Sequence, residues 1–260
     1  MRLTYTMELM KPLPPHRTGR GYDRWLDKRG PLAAAMRFAM SVPGQILVNT
    51  AAFTLPEELR IRPEWRVLDI GCGRAGVIRI LAERARLEQP PIGIDASARM
   101  LSLAQQDMAR EGGPTIRLAQ GVATALPFAS DICDLLLSSH VFKYFTDDEL
   151  RACLREARRV LKPGGLFLAW EFAPTNSKLL DRWNHYLLSR EVPLVRLRGF
   201  SELRAFAYES GFDWVEPAHL RPFLLPPIPR VSFLMGKAPP GWRRTIIEGK
   251  SAIQYTGEES

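Results

Sequence analysis

The chain is poor in the residues that build metal and redox centres. Its three cysteines, Cys72, Cys133 and Cys153, form no C-x-x-C pair, which argues against a zinc knuckle or a thiol redox motif. Reduced cysteines fit a cytoplasmic protein. The four histidines, His16, His140, His185 and His219, are too scattered to predict a metal site. Met1 to Arg20 lacks the apolar core of a signal peptide. Phe38 to Pro56 carries no charge, but Ser41, Pro43, Gly44, Gln45, Asn49, Thr50 and Thr54 interrupt it. A membrane-spanning helix needs ~20 predominantly apolar residues, so two short amphipathic helices broken at Pro43-Gly44 are expected instead. There is no internal repeat and no low-complexity run.

What remains is an ordinary globular composition. The chain has 260 residues, 46% hydrophobic and 25% charged, enough to bury a core without disulfide or metal staples. The net charge of +8 permits nucleic acid, an anionic membrane face or an acidic ligand as partner. Basic residues gather between Lys11 and Arg29, and again at Arg221, Arg230, Lys237, Arg243 and Arg244, where no acid intervenes. No RNA-binding motif or basic–aromatic repeat accompanies them, which argues against nucleic acid.

From Trp65 onward, strand-like runs alternate with helical periods. Arg66–Ile70, Pro91–Asp95, Thr115–Ala119, Cys133–Ser138 and Leu166–Phe172 read as strands, with two more at Gly211–Glu216 and Arg230–Gly236. Thr146-Asp147-Asp148-Glu149 has capping-box spacing before a helix with Leu150, Leu154, Ala157 and Leu161 on one face. Lys162-Pro163-Gly164-Gly165 stops that helix. Ser97 caps another, with Leu101, Ala104 and Met108 facing inward. Such alternation predicts an α/β fold with a doubly wound, mostly parallel sheet and helices on both faces. Ligands of such sheets bind beyond the carboxyl ends of the strands. The expected organisation is a helical cap over 1–60, a sheet domain over 61–236 with an insertion near 174–204, and a loose polar tail over 237–260.

The most informative segment is Asp69-Ile70-Gly71-Cys72-Gly73-Arg74-Ala75-Gly76. It satisfies G-x-G-x-x-G, and Asp95 follows roughly twenty residues later, as in a dinucleotide fingerprint. Asp69 separates two readings. A carboxylate two residues before the first glycine disfavours a pyrophosphate. It favours a ligand with an ammonium, while the following helix N-terminus suits a carboxylate. S-adenosylmethionine carries both groups and no phosphate. Asp95 can accept two ribose hydroxyls in either case.

In these residues the chain resembles a class I S-adenosylmethionine-dependent methyltransferase of the small-molecule type. The matching segments are Val67–Gly73, Gly93–Ser97 with Met100-Leu101, Ala125–Phe128 leading to Asp134, Ser138–Phe142 and Arg159–Gly165. Glu171-Phe172-Ala173-Pro174 further resembles ubiquinone- and menaquinone-methylating members. The resemblance implies a seven-stranded sheet and S-adenosyl-L-methionine as methyl donor, bound by Asp69, Gly71, Cys72, Gly73, Asp95, Ala96, Met100, Gly121, Val122, Ala123, Ser138 and Ser139. Two departures stand out. Ala75 replaces a glycine common in the family, tolerable if the helix has begun there. Val122 replaces an acidic residue that contacts the adenine amino group, leaving adenine to backbone groups and apolar packing at a cost of about 1 kcal/mol.

Methyl transfer from a sulfonium is a direct displacement, so alignment and exclusion of water do most of the work. A base is needed only if the acceptor loses a proton. His140, Glu171 and Tyr144 are the candidate catalytic residues, with Lys143 adjacent and His185 more remote. Trp183, Tyr186 and Phe172 are candidate walls of an aromatic acceptor pocket, and Tyr22 is a candidate to close over the cofactor. The apolar stretches around Phe38–Phe53 and Pro222–Met235 point to a small hydrophobic, aromatic or lipid-like acceptor, and to peripheral contact with a membrane. The alternatives are an RNA- or protein-directed methyltransferase and a regulatory protein that binds S-adenosylmethionine without catalysis.

Overall fold

The computed structural model describes residues 59–175, 177–189, 195–218, 220, 229–239, 241–247 and 250–255, together with isolated positions before residue 59. The expected cap over 1–60, with its two short helices and with His16 and Tyr22, lies almost wholly outside the described residues, as does His219.

The elements follow in the order β1 (Val67–Ile70), α1 (Gly76–Ala85), β2 (Ile92–Asp95), α2 (Ala98–Glu111), β3 (Arg117–Gln120), β4 (Cys133–Ser139), a 3-10 turn (Phe142–Tyr144), α3 (Asp147–Val160), β5 (Leu161–Phe172), α4 (Lys178–Ser189), α5 (Phe200–Glu209), β6 (Trp214–Pro217), β7 (Arg230–Gly236), β8 (Trp242–Ile247) and β9 (Lys250–Tyr255). Seven strands form one sheet in the order β3-β2-β1-β4-β5-β7-β6. Strand order reverses between β1 and β4, where Ile70 pairs Ile94 on one side and Ser138 on the other. That reversal opens the crevice in which such sheets bind ligands.

Alternate side chains of each strand feed two cores. Leu136, Phe167 and Ala169 pack against α3 and α5 through Leu150, Leu154, Leu203 and Phe206. Leu135, Leu137, Leu168 and Trp170 pack on the opposite face against α1 through Val77, Ile78 and Leu81. Strands buried on both faces are therefore nearly continuous in apolar residues. α3 begins as its spacing predicts: the Thr146 side chain accepts from the Glu149 N–H, and Glu149 reaches back to the Thr146 N–H. Ser97 likewise accepts from the Met100 N–H at the start of α2.

Three expectations change. The sheet is mixed, because β7 runs antiparallel to both β5 and β6. No helical pattern separates the last two strands, and antiparallel neighbours need no helical crossover. Residues 200–204 belong to the sheet domain rather than to an insertion, since α5 starts at Phe200 and buries Leu203. The polar tail contains a strand pair, β8–β9, registered from Trp242↔Tyr255 to Ile247↔Lys250. Its β-branched and aromatic residues sit in two runs separated by two positions, a hairpin spacing masked by the surrounding polarity.

Thr146→Ala removes the α3 cap and should lower unfolding stability by about 1 kcal/mol, measured by urea titration at constant m-value.

Candidate active site

The chain leaves β1 through Gly71, at φ +77°, and Gly73, at φ +53°. Both angles lie in the left-handed region that side chains resist. The two glycines answer different demands. A Cβ at Gly71 would sit 2.3 Å from Val141 Cγ2, whereas a Cβ at Gly73 would meet nothing within 4 Å. Gly71 is thus required by packing between the β1 and β4 loops, and Gly73 by the turn itself, with open space in front of it. The Gly71 and Cys72 N–H groups both donate to the Ile94 carbonyl, at 2.8 and 3.0 Å. Ala75 is also left-handed, at φ 60°, and stands before α1 rather than inside it. The alanine therefore costs roughly 1–2 kcal/mol of backbone strain relative to glycine.

Two carboxylates face this loop. Asp69 is 2% exposed, and its Oδ1 has no hydrogen-bond partner among the described residues. Burial, and then the neighbouring Asp95, push its pKa up from 3.8 to about 7. Asp95 ends β2 and spans the turn: Oδ2 accepts the Gly73 N–H at 2.8 Å and Oδ1 the Ser97 N–H at 2.8 Å. Burial raises its pKa, and these two N–H groups oppose the rise. Cys72 is buried and its thiol pKa is raised well above the ordinary value by burial, so it is inert and packs against Gly93. Arg74 cannot activate it, because its guanidinium makes a bidentate pair with Asp107 at 2.7 Å to each oxygen.

The expected adenine wall lies beside this. Met100 is 2% exposed at the start of α2. Gly121 has no room for a side chain, since a Cβ would lie 2.5 Å from Ile94 Cδ1. Val122 and Ala123 are half-buried, and Val122 forms a lone bridge with Ala125. Ala96 is half-buried between Asp95 and Ser97. Sequence reasoning missed Asp23, which takes a hydrogen bond from the Ser97 hydroxyl at 2.5 Å and offers its carbonyl to Arg99. Asp23 therefore stands on this rim. Nothing local marks such a long-range contact.

On the other side of the crevice, β4 ends at Ser138 and Ser139. The Ser138 hydroxyl donates to the Ile70 carbonyl at 3.3 Å, stitching β4 to β1, and Ser139 is half-buried. His140 follows with φ 58°. Its ring stacks on Phe172 at 4.2 Å between centroids. Burial, then Lys143 and Arg230, lower its pKa well below 6.5, so the imidazole is neutral throughout the physiological range. The Lys143 ammonium donates to the His140 carbonyl and lies 4.1 Å from the Tyr144 ring and 5.3 Å from the Phe172 ring. Arg230 lies 5.0 Å from the same Phe172 ring, its pKa lowered to about 10 by burial.

The other two candidate bases, Glu171 and Tyr144, sit in the same loop region with contacts of their own. Glu171 Oε1 accepts the Phe142 N–H at 2.6 Å. Burial raises its pKa, and Lys143 with the N–H groups of residues 141–143 opposes that. It anchors the loop. Tyr144 is buried in a small cluster with Val195, Leu188 and Leu197, and its ring serves packing and the Lys143 cation. Arg198, unnoticed in the sequence, holds the loop from the opposite side: 3% exposed, it donates to the carbonyls of Phe142 and Phe145 at 3.0 and 2.8 Å and to Asp147 at 2.7 Å. These hydrogen bonds hold the Asp147 carboxyl below its usual range, so Asp147 serves the helix start and the clamp. His185 is exposed and binds the Val195 carbonyl at 3.1 Å. Trp183 and Tyr186 are 58% and 52% exposed and face outward, not into a pocket; of the expected aromatic walls, Phe172 is buried against His140.

Comparison with known proteins bears on the domain as a whole. The sequence profile of the family described as "Methyltransferase domain" matches residues 67–165. The chain is 34% identical over 163 residues to the uncharacterized methyltransferase YcgJ of Bacillus subtilis, covering 60% of this chain and 62% of that protein. It is 32% identical over 154 residues to the demethylmenaquinone methyltransferase of Thermotoga maritima, covering 58% and 63%. Residues 67–165 thus match a methyltransferase domain, and the relatives that share this region are named as methyltransferases. The phosphoethanolamine N-methyltransferase 2 of Haemonchus contortus, solved with phosphomonomethylethanolamine and S-adenosylhomocysteine, superimposes with a TM-score of 0.61 over 76% of this chain and 46% of that one, at 20% identity. At that identity the likeness is one of fold. The chain spans less than two thirds of the length of each of these relatives.

Gly71→Ala should destabilise the fold by at least about 2 kcal/mol, adding a steric clash to backbone strain. Gly73→Ala should cost only about 1 kcal/mol and act mainly on ligand affinity. Thermal unfolding with and without S-adenosylhomocysteine separates the two.

Proposed function

We propose that the chain binds S-adenosyl-L-methionine in the crevice between β1 and β4 and transfers its methyl group to a small, hydrophobic or aromatic acceptor. The observation that carries this is the buried Asp69 carboxylate with an oxygen lacking a partner among the described residues. A buried carboxylate in that state is costly, and a cationic ligand relieves the cost. The cofactor supplies an electrophilic methyl on a sulfonium. Asp69 holds its ammonium, directly or through one water. Asp95 holds its ribose, since a carboxylate with two N–H bonds retains acceptor sites for two hydroxyls. Gly71, Cys72 and Gly73 bring backbone close to the ligand, with the space before Gly73 open. Met100, Gly121, Val122 and Ala123 surround the adenine, and Ala96, Ser138 and Ser139 complete the rim. The S-adenosylhomocysteine complex of the Haemonchus neighbour supports this reading.

The acceptor lies against His140 and Phe172, at the carboxyl ends of β4 and β5. His140 is the group poised to take an acceptor proton, because its imidazole is neutral and keeps a lone pair. The name of the Thermotoga relative, which specifies demethylmenaquinone, supports a small-molecule acceptor.

Asp69 generates a pH test. Its pKa of about 7 lies above the ordinary 3.8, so between these values the folded apo-protein keeps a proton that the unfolded chain has lost. Apo stability should fall as pH rises from about 4 to about 7, and a cationic ligand should bind more weakly below pH 7 and release a proton on binding near pH 6. Calorimetry in buffers of different ionisation enthalpy measures that proton. Asp69→Asn should raise the apo melting temperature by several degrees while weakening S-adenosylmethionine at least tenfold. No detectable binding of S-adenosylmethionine to the wild type at millimolar concentration would overturn the proposal. His140→Ala should slow methyl transfer to a panel of hydroquinones and phenols by about a hundredfold with cofactor affinity unchanged, and the wild-type rate should show no histidine limb between pH 6 and 8.

A further inference from the structure

α4 buries one side and presents the other to solvent. Asn184 is 8% exposed, Asp181 accepts the Thr175 N–H at 2.6 Å, and Leu188 packs on the Tyr144–Val195 cluster. These three residues share one side of the helix, since positions advance by about 100° each. On the opposite sector Leu179, Leu180, Trp183 and Tyr186 are 76%, 53%, 58% and 52% exposed. Trp183 and Tyr186 lie side by side, 5.9 Å between ring centroids. Next along the surface of the same helix come Lys178 and Arg182, both exposed. Four large apolar or aromatic side chains in one sector, bordered by cations, make an unusual outer face for a soluble domain. They match a helix that lies in a membrane interface: leucine for the acyl boundary, tryptophan and tyrosine for the headgroup level, lysine and arginine for phosphates.

We propose that α4 docks the protein onto an anionic lipid bilayer, with Leu179, Leu180, Trp183 and Tyr186 entering the headgroup–acyl boundary and Lys178 and Arg182 on the lipid phosphates. Charge favours this occupant over a second copy of the chain. The protein carries +8 overall, and a two-fold contact through this face would bring each Lys178 and Arg182 near their own equivalents, whereas an anionic surface attracts them. No described helix is long and apolar enough to cross a membrane, so the contact is peripheral. α4 follows the carboxyl end of β5 after a short link and packs its buried side through Leu188 onto Tyr144, so the docked helix is tied to the loop that carries His140. The docking itself does not depend on methyl transfer and is tested without an acceptor.

The test is co-sedimentation of the full chain with vesicles of phosphatidylcholine alone and of phosphatidylcholine mixed with phosphatidylglycerol. The wild type should bind the anionic vesicles at least tenfold more tightly than the neutral ones, and high salt should weaken that binding. Leu179→Ser with Trp183→Ser should reduce binding to anionic vesicles at least tenfold. Lys178→Gln with Arg182→Gln should abolish the preference for anionic over neutral vesicles. Circular dichroism and S-adenosylhomocysteine affinity, both expected to be unchanged, separate loss of docking from loss of fold. Absence of vesicle binding overturns the proposal, as does binding that the α4 variants leave untouched. A concentration-dependent dimer lost in Trp183→Ser, with no vesicle binding, assigns the face to a second copy instead.

Discussion

The structure turns on a carboxylate held out of water. Asp69 sits in the first strand, paired to Gly93 and Leu137, where its neighbours supply neither solvent nor a full set of donors. A second carboxylate, Asp95, lies close enough to raise its pKa further. Two acids so arranged work against the apo-fold, and the cost is tolerated because β1 is anchored on both faces by apolar packing. The same arrangement makes the crevice selective for positive charge. Anionic pyrophosphate is disfavoured by the charge that favours an ammonium, although the glycine spacing alone is common to both ligand types.

Across the crevice, the loop from His140 to Phe145 is fixed by opposite backbone polarity. Glu171 takes an N–H of the loop and Arg198 takes two of its carbonyls. Both side chains are buried, and each meets backbone of this loop. The positive φ of His140 is one product of that clamp, and its ring stacked on Phe172 is another. Rigid support from β5 and from the approach to α5 gives a loop residue the fixed position that alignment for displacement requires.

Several features were legible locally. Gly71, Gly73 and Asp95 announce a tight turn with an acid opposite it; Thr146 and Glu149 announce a helix start; Val67–Ile70 and Cys133–Ser139 announce strands buried on both faces. These signals act over a few residues. What was not legible shares a cause as well. Glu171 and Tyr144 are recognisable as candidates near strand ends, and only long-range hydrogen bonds and packing show what else they touch. Ala75 looks helical until its backbone angle is known. Trp183 and Tyr186 resemble a pocket wall until their exposure is known. Asp23 and Arg198 act on residues more than fifty positions away, beyond any local pattern.

The amino-acid sequence by itself determined the alternation of strands and helices, the glycine turn and the two acids beside it, because hydrophobic period, turn chemistry and charge are properties of neighbouring residues. Tertiary structure alone decided that β7 runs antiparallel, that Glu171 serves backbone while His140 stays neutral beside Phe172, and that α4 turns its apolar side outward. Those outcomes depend on which distant groups share a buried volume, since desolvation and hydrogen-bond partners arise only when the chain is folded.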